Sequence, residues 1–215
     1  DGQIRIIGGG VEGTVGRVDL IGHTLAIDAP LRAHYLNNGL STIELSAGAG
    51  LVSEQANGQL ASSPSGVING AVNGAVNGTG VAIDASALGA MTAGQIRIVS
   101  TEAGMGVNLR GPLLAYQQDL VVSGAGDVRL QQTSAARDIR LDASGQLSVL
   151  GPLDAQRNVQ ATAGAALVIS GTARVGGDMA AQAGGNLALL GSTTVGGDAQ
   201  LQAGGRLDVL APLQV

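Results

Sequence analysis

Apolar and polar residues alternate along most of the chain in short runs, the pattern of half-buried β-strands. Around residue 140, for example, Ile139, Leu141 and Ala143 alternate with Arg140 and Asp142. Successive side chains of a strand point to opposite faces, so this run predicts a strand whose apolar face is turned towards a core. Bends that contain Gly or Pro separate such runs, and no stretch has a sustained helical period. An all-β fold is therefore expected.

The alternation itself repeats in the last hundred residues. Leu147, Leu167, Leu187 and Leu207 recur at intervals of 20 residues, and an earlier copy that begins at Asp119 is one residue shorter. One copy cannot bury its apolar stripe alone, but stacked copies pair each strand with its equivalent about 4.8 Å away. The repeat predicts a parallel β-helix, a solenoid with three strands in each turn. We expect it to be right-handed, as parallel crossovers generally are, with roughly ten turns of about 20 residues.

The first half of the chain contains the same kinds of run at less regular spacing. Gly2–Ile6 has the sequence that returns at Gly94–Ile98. Between about residues 52 and 80 the strand pattern fails: residues 62–66 are rich in Ser, Pro and Gly, and residues 67–78 contain a tandem Ala-Val-Asn-Gly repeat. Asn-Gly is a strong hairpin-turn signal. We predict an insertion at about 52–80 that projects from the helix.

Composition narrows the functional classes. The chain has 36 Gly and 5 Pro in 215 residues, no Phe, Trp or Cys, and a formal net charge of −5. Its apolar side chains are small or branched, which suits a narrow layered interior. The absence of Cys excludes disulfides and thiolate metal sites. No basic patch supports nucleic-acid binding, and no apolar run approaches the ~20 residues of a transmembrane segment.

Two neighbouring motifs are specific enough to indicate a family. Residues 87–98 read Ala-Leu-Gly-Ala-Met-Thr-Ala-Gly-Gln-Ile-Arg-Ile, and residues 101–107 read Thr-Glu-Ala-Gly-Met-Gly-Val. They resemble a stretch near the end of the secretion-associated domain in the filamentous haemagglutinin family of two-partner secretion exoproteins, which includes contact-dependent growth inhibition proteins. The resemblance covers most of the chain and is strongest over residues 81–115. It divides the chain into irregular β-helix turns over 1–117, with the insertion, and regular haemagglutinin-type repeats over 118–215.

The resemblance also implies a location and partners. It implies secretion to the cell surface of a Gram-negative bacterium through an outer-membrane two-partner secretion transporter, which acts on the parent protein. A receptor on a host cell or a neighbouring bacterium is a further possible partner. The family's secretion signals carry Asn-Pro motifs, which this sequence lacks. Transporter recognition is therefore assigned to none of its residues.

Three motifs suggest ligands, and each has a simpler structural interpretation. Residues 8–13 fit Gly-x-Gly-x-x-Gly, but a strand pattern follows where a dinucleotide site needs a helix, so we expect a bend. Asp178 and Asp198 each follow Gly-Gly, as in calcium-binding β-rolls, but one such Asp in each 20-residue turn favours turn residues that bond local backbone N–H groups. His23 and His34 have no third metal ligand nearby and are expected to be exposed or in turns.

Parallel β-helices also occur in polysaccharide-active enzymes, so a catalytic function is a possible alternative. Such chemistry needs carboxylates gathered on one face. The outward acids here are scattered, Lys is absent, and Tyr35 and Tyr116 are the only aromatic residues. Asn77-Gly78-Thr79 matches a glycosylation acceptor but is more simply a turn. The scattered acids are Asp19, Asp28, Glu44, Asp142, Asp154 and Asp208.

These observations favour a structural protein over an enzyme. We expect a stalk segment of a large secreted adhesin or exoprotein with no catalytic, cofactor-binding or metal residues and no cofactor. The alternative is a receptor-binding module that uses the 52–80 insertion or the outer face. A polysaccharide-active enzyme is the third hypothesis.

Overall fold

The alternating runs form short strands that are joined at bends. The computed structural model describes residues 2–35, 39–48, 50–54, 60–64 and 80–215, and every regular element in these ranges is a β-strand. The strands before residue 80 are β1 (Gln3–Ile6), β2 (Val11–Gly13), β3 (Arg17–Gly22), β4 (Thr24–Ile27), β5 (Leu31–Ala33), β6 (Thr42–Ala47), β7 (Gly50–Glu54) and β8 (Leu60–Pro64). The next strands are β9 (Gly80–Ala85), β10 (Met91–Ala93), β11 (Gln95–Ser100), β12 (Met105–Leu109), β13 (Leu113–Ala115), β14 (Leu120–Gly124), β15 (Val128–Leu130), β16 (Thr133–Ala135) and β17 (Ile139–Ala143). The last are β18 (Leu147–Val149), β19 (Leu153–Ala155), β20 (Val159–Ala163), β21 (Leu167–Ile169), β22 (Ala173–Val175), β23 (Met179–Ala183), β24 (Leu187–Leu189), β25 (Thr193–Val195), β26 (Ala199–Ala203), β27 (Leu207–Val209) and β28 (Leu213–Gln214).

Three parallel sheets stack these strands into a β-solenoid. Sheet 1 has the order β1-β4-β9-β12-β15-β18-β21-β24-β27, and sheet 2 the order β2-β5-β10-β13-β16-β19-β22-β25-β28. Sheet 3 runs β3-β6-β11-β14-β17-β20-β23-β26. Each turn contributes one strand to each sheet, so the described chain makes about nine turns. This is close to the expected number, because the segment between β6 and β9 adds no turn.

The strand register confirms the 20-residue repeat. Leu187 pairs with Leu167 on one side and with Leu207 on the other. Leu120 pairs with Ile139, which is the one shorter step expected from the copy that begins at Asp119. In a parallel stack a slip of one residue would turn every apolar side chain outwards, so the buried face determines the register.

The core is a continuous column of aliphatic side chains, as the composition predicts. The alternation assigned around residue 140 is confirmed: Ile139, Leu141 and Ala143 are buried, whereas Arg140 and Asp142 are exposed. The buried apolar residues in the described part of the chain are Leu, Ile, Val, Ala and Met. Small and branched side chains can stack as identical layers about 4.8 Å apart, which leaves no space for larger rings.

Glycines at the bends allow adjacent turns to approach closely. A Cβ built on Gly171 would overlap the carbonyl oxygen of Gly151, in the preceding turn. Gly8 and Gly10, between β1 and β2, have φ values of 71° and 78°, a left-handed conformation that favours glycine. The bends therefore require glycine for two different reasons, contact between turns and backbone conformation.

Strands β7 and β8 do not join the three sheets. They pair antiparallel with each other, from Gly50 opposite Pro64 to Glu54 opposite Leu60. This hairpin covers the first part of the predicted insertion. It also includes Gly50 and Leu51, which precede the predicted start at residue 52. Residues 65–79, with the Ala-Val-Asn-Gly repeat and Asn77-Gly78-Thr79, lie outside the described residues. The insertion limits at 52–80 and the domain boundary at 117/118 stay predictions.

Candidate functional site

The Gly-rich segment at residues 8–13 forms a bend that leads into strand β2, Val11–Gly13. Gly10 fits because a Cβ there would overlap the carbonyl oxygen of Pro30 in the next turn. A strand after the glycines offers no helix N-terminus for a pyrophosphate. The segment therefore has the geometry of the expected bend.

A row of Asp and Asn side chains follows the corner between sheets 2 and 3. One carboxylate or amide oxygen of each of the first four residues accepts a hydrogen bond from the backbone N–H of the equivalent residue in the next turn. The N···O distances are 3.1, 3.0, 2.9 and 2.9 Å along the row. For Asp178 the prediction of a hydrogen bond to local backbone was wrong, because its partner, the N–H of Asp198, belongs to the adjacent turn. The row consists of Asp119, Asp138, Asn158, Asp178 and Asp198.

The two histidines have different neighbours. His23 Nε2 is 3.6 Å from Glu102 Oε2, and the His34 ring is tilted against Tyr116 with a centroid distance of 6.1 Å. In the described part of the chain no cluster of three or more His, Cys, Asp or Glu residues could hold a metal ion. Among the described residues, neither histidine therefore lies in the group of three or more ligands that a metal site requires.

Most of the outward acids are partners of arginines. Asp28 lies 3.0 Å from Arg5, and Asp208 lies 2.6 Å from Arg206. These pairs are exposed, and such pairs contribute less than about 1 kcal/mol each. Asp19 and Glu44 are neighbours on β3 and β6, and both contact Arg17. The remaining arginine-paired acids lie in separate ion pairs along the rod.

Glu44 differs from the other acids because it is buried, with only 6% of its side chain exposed. It lies on the outward face of β6, where its oxygens are 3.3 Å from Arg17 Nη2 and 3.3 Å from Arg97 Nε. These arginines come from β3 and β11, the strands on either side of β6. One buried carboxylate therefore links three consecutive turns.

A groove of about 850 Å³ runs over the outer face of sheet 1 and the adjoining corner. It crosses β9, β12 and β15, and its polar side chains include Asn108, Arg110, Asp127, Arg129 and Gln131. Glycines line much of the rest. This volume lies within the ~300–1,000 Å³ range of ligand-binding clefts.

A β-bulge contributes to the shape of the groove. Gly106 pairs with Val81, but Val107 pairs with Ile83, so Ala82 is an extra residue in β9. The bulge places Ala82 in the core, where it is fully buried, and leaves Val81 44% exposed at the groove. Bulges commonly redirect side chains beside functional sites.

Sequence reasoning places Glu44 among the scattered outward acids but misses its burial, and it also misses the groove. The sequence does contain a signal for ion pairs between neighbouring turns, because Arg32 and Glu12, and Arg174 and Asp154, have opposite charges 20 residues apart. It contains no signal for the bulge, because nothing in the sequence around Val81 distinguishes a bulged strand from a regular one. Among the described residues, no helix has the length and apolar character needed to cross a membrane.

The geometry defines the class of protein: a parallel β-solenoid whose described surface holds ion pairs, a row of Asx residues and polar concave surfaces. Comparison with known proteins then gives relatives. The chain is 48% identical over 64 residues to the "16S rRNA endonuclease CdiA" of Enterobacter cloacae, which covers 30% of this chain and 2% of that protein. It is 35% identical over 135 residues to a "Toxin CdiA" of Escherichia coli, covering 63% and 4%. A "tRNA nuclease CdiA" of Escherichia coli is 30% identical over 145 residues, covering 67% and 4%.

These homologues confirm the family indicated by the two sequence motifs. The chain has homologues among the proteins named CdiA, which are contact-dependent growth inhibition proteins of the filamentous haemagglutinin type. It spans 2–4% of the length of these curated relatives. No family model and no solved structure matches the chain.

Proposed function

We propose that this chain is a rigid stalk segment of a large secreted exoprotein that is displayed on the surface of a Gram-negative bacterium. The observation that supports this most is the unbroken stacking of about nine turns around one aliphatic core. Each turn adds about 4.8 Å to the rod and pairs with its neighbours in all three sheets. Such a structure supplies length and stiffness from repeated local contacts.

The names of the relatives suggest what the parent protein carries. Those relatives are named as toxins or nucleases, and the matched stretch is a small part of each. A nuclease activity in the parent would belong to another part of its chain, because most of the described acids here are engaged by arginines or by backbone N–H groups. We therefore propose that this segment is not catalytic and holds the active part of the parent away from the cell.

Export through an outer-membrane two-partner secretion transporter is part of the same proposal. It is supported by the CdiA homologues and by the motifs at residues 87–107. A parallel solenoid can also extend turn by turn from one end, because each turn pairs only with its neighbours. This property suits a chain that emerges as an extended polypeptide and folds outside the cell.

Changing the number of turns tests the stalk role. Deleting residues 158–177 removes one complete turn and keeps Leu147 in register with Leu187, so the protein is expected to fold with a similar thermal midpoint. Inserting three further copies of 158–177 is expected to lengthen the rod by about 15 Å in small-angle scattering. The matched control deletes only residues 158–167, which places bends opposite strands and should abolish cooperative folding.

The same one-turn deletion can be made in the full-length parent. A spacer has no essential contact in any single turn, so surface display and the parent's activity on target cells are expected to persist. A loss of that activity at an unchanged surface level would contradict a purely structural role.

The second candidate function is direct receptor binding through the insertion at about 52–80 or through the outer face. The observation that favours the insertion is that hairpin β7–β8 pairs with no strand of the three sheets. Replacing residues 50–79 by a short Gly-Ser linker should leave the solenoid intact. If the parent then stays on the surface but loses target-cell binding, the insertion is a binding module.

A further inference from the structure

We propose that the groove over β9, β12 and β15 is a binding site for an acidic saccharide. The proposal adds a ligand site to the stalk and does not depend on the stalk function. It starts from Arg129, an outward residue of β15 that lines the groove. Among the described residues Arg129 has neither an ion pair nor a hydrogen bond, whereas Arg110 beside it lies 3.3 Å from Asp84. An unpaired guanidinium in a concave site is suited to bind a carboxylate through two parallel hydrogen bonds.

The neighbouring side chains supply the mixture of donors and acceptors that sugar hydroxyls need. Asn108 directly adjoins Arg129 in the next strand, and its Nδ2 donates to Asp84 Oδ1 at 2.6 Å. Its amide oxygen therefore remains an acceptor, and Gln131 adds an amide with both functions. Asp127 uses Oδ1 to accept from the backbone N–H of Gln146 at 2.8 Å, which leaves its second oxygen for a hydroxyl donor.

An arginine without a partner distinguishes this groove from two other concave surfaces on the described part of the rod. One of them is lined by Arg174, which lies 3.8 Å from Asp154, and the other by Arg140, which donates a hydrogen bond to Gln160 at 3.1 Å. Of these three surfaces, the groove is therefore the one with an arginine that has no described ion pair or hydrogen bond.

The backbone argues for a saccharide over a peptide. Extended peptides usually bind β-structures by pairing with an open strand edge. Here β12 is paired with β9 on one side and β15 on the other, and β15 is paired with β12 and β18. Their backbone groups are already used between turns, so recognition must come from side chains. The described groove contains no aromatic ring for stacking, so we expect a weak affinity, in the range of about 0.1–10 mM.

The test is an NMR titration of the 215-residue protein with a tetrasaccharide of alternating glucuronic acid and N-acetylglucosamine. A neutral N-acetylglucosamine tetramer and tetraglutamate serve as comparison probes. Expected is binding of the acidic tetrasaccharide alone, with backbone shifts concentrated at Asn108, Arg129 and Gln131. Higher salt should weaken it, because the site is open to solvent.

Two arginine variants separate a specific contact from general charge. Arg129→Gln should weaken binding about tenfold, the loss expected for a charge-assisted hydrogen bond. Arg157→Gln is the matched control, since Arg157 is also exposed, lies outside the groove and has no ion pair among the described residues. Both should fold normally because neither removes a described contact. The proposal is overturned by absence of binding up to about 10 mM, by equal affinity for either comparison probe, or by equal losses in the two variants.

Discussion

Replacing Leu187 by Asp tests the inward ladder on which the whole solenoid depends. Leu187 is fully buried and is paired with Leu167 and Leu207 in the adjacent turns. Removing a buried leucine side chain costs about 2–5 kcal/mol, and the carboxylate adds the cost of a polar group without a partner. We expect a loss of about 5 kcal/mol or more, a large part of the stability of an ordinary domain.

Position along the rod should modify this loss. In the isolated 215-residue segment Leu207 is 46% exposed, so the turn that contains it can open locally and admit water to an Asp at 187. Leu147 lies between two buried residues, Val128 and Leu167. Because repeat proteins sum contributions from neighbouring turns, Leu147→Asp should be more destabilising than Leu187→Asp.

The measurement is urea unfolding followed by far-UV circular dichroism, with Gln202→Asp as the control. Gln202 is exposed on β26, so its variant should stay within about 0.5 kcal/mol of the parent chain. If Leu187→Asp and Gln202→Asp had the same midpoint, the assignment of inward and outward faces would be refuted. If Leu187→Asp exceeded Leu147→Asp, the argument from neighbouring turns would fail.

Three further substitutions test single contacts, each by its thermal or urea midpoint. Thr133→Val should stabilise by about 1 kcal/mol, because the buried Thr133 hydroxyl has no hydrogen-bond partner among the described residues. A smaller gain is expected from Thr193→Val, since that hydroxyl donates to a carbonyl oxygen at 3.4 Å. Glu44→Gln should cost about 2 kcal/mol by removing the buried charge between two arginines, and a neutral result would show that the pairs contribute nothing net. Gly171→Ala should cost at least about 2 kcal/mol because its Cβ would overlap the adjacent turn, whereas Gly9→Ala meets nothing within 4 Å and should be tolerated.

The regular turns could be predicted from sequence because one quantity, the 20-residue period, determines their strand register. Once the period is 20, the buried face of one strand specifies the partners of every later strand, as Leu147, Leu167 and Leu187 show. The earlier turns lack this constraint. Leu25 pairs with Ile83, 58 residues later, because the chain leaves the solenoid between them. No local pattern in the sequence specifies that step.

The candidate sites depend on the irregular steps for the same reason. Arg97 reaches Glu44 only because β11 follows β6 in sheet 3 despite the intervening segment. Arg129 adjoins Asn108 at a step of 21 residues, beside the bulge at Ala82. A prediction from the repeat alone assigns inward and outward faces correctly but cannot specify which outward residues become neighbours where the period changes.

The contrast between the two halves has a functional consequence. In the regular turns the inward positions are filled by similar aliphatic side chains, whereas the outward positions vary, as Arg140, Gln160 and Ala180 show. The groove lies where the two halves meet, because Asn108 belongs to β12 and Arg129 belongs to β15. Its shape depends on the bulge at Ala82 and on these two neighbouring strands, and none of them is altered by removing a later turn. Deleting residues 158–177 should therefore leave recognition at the groove unchanged.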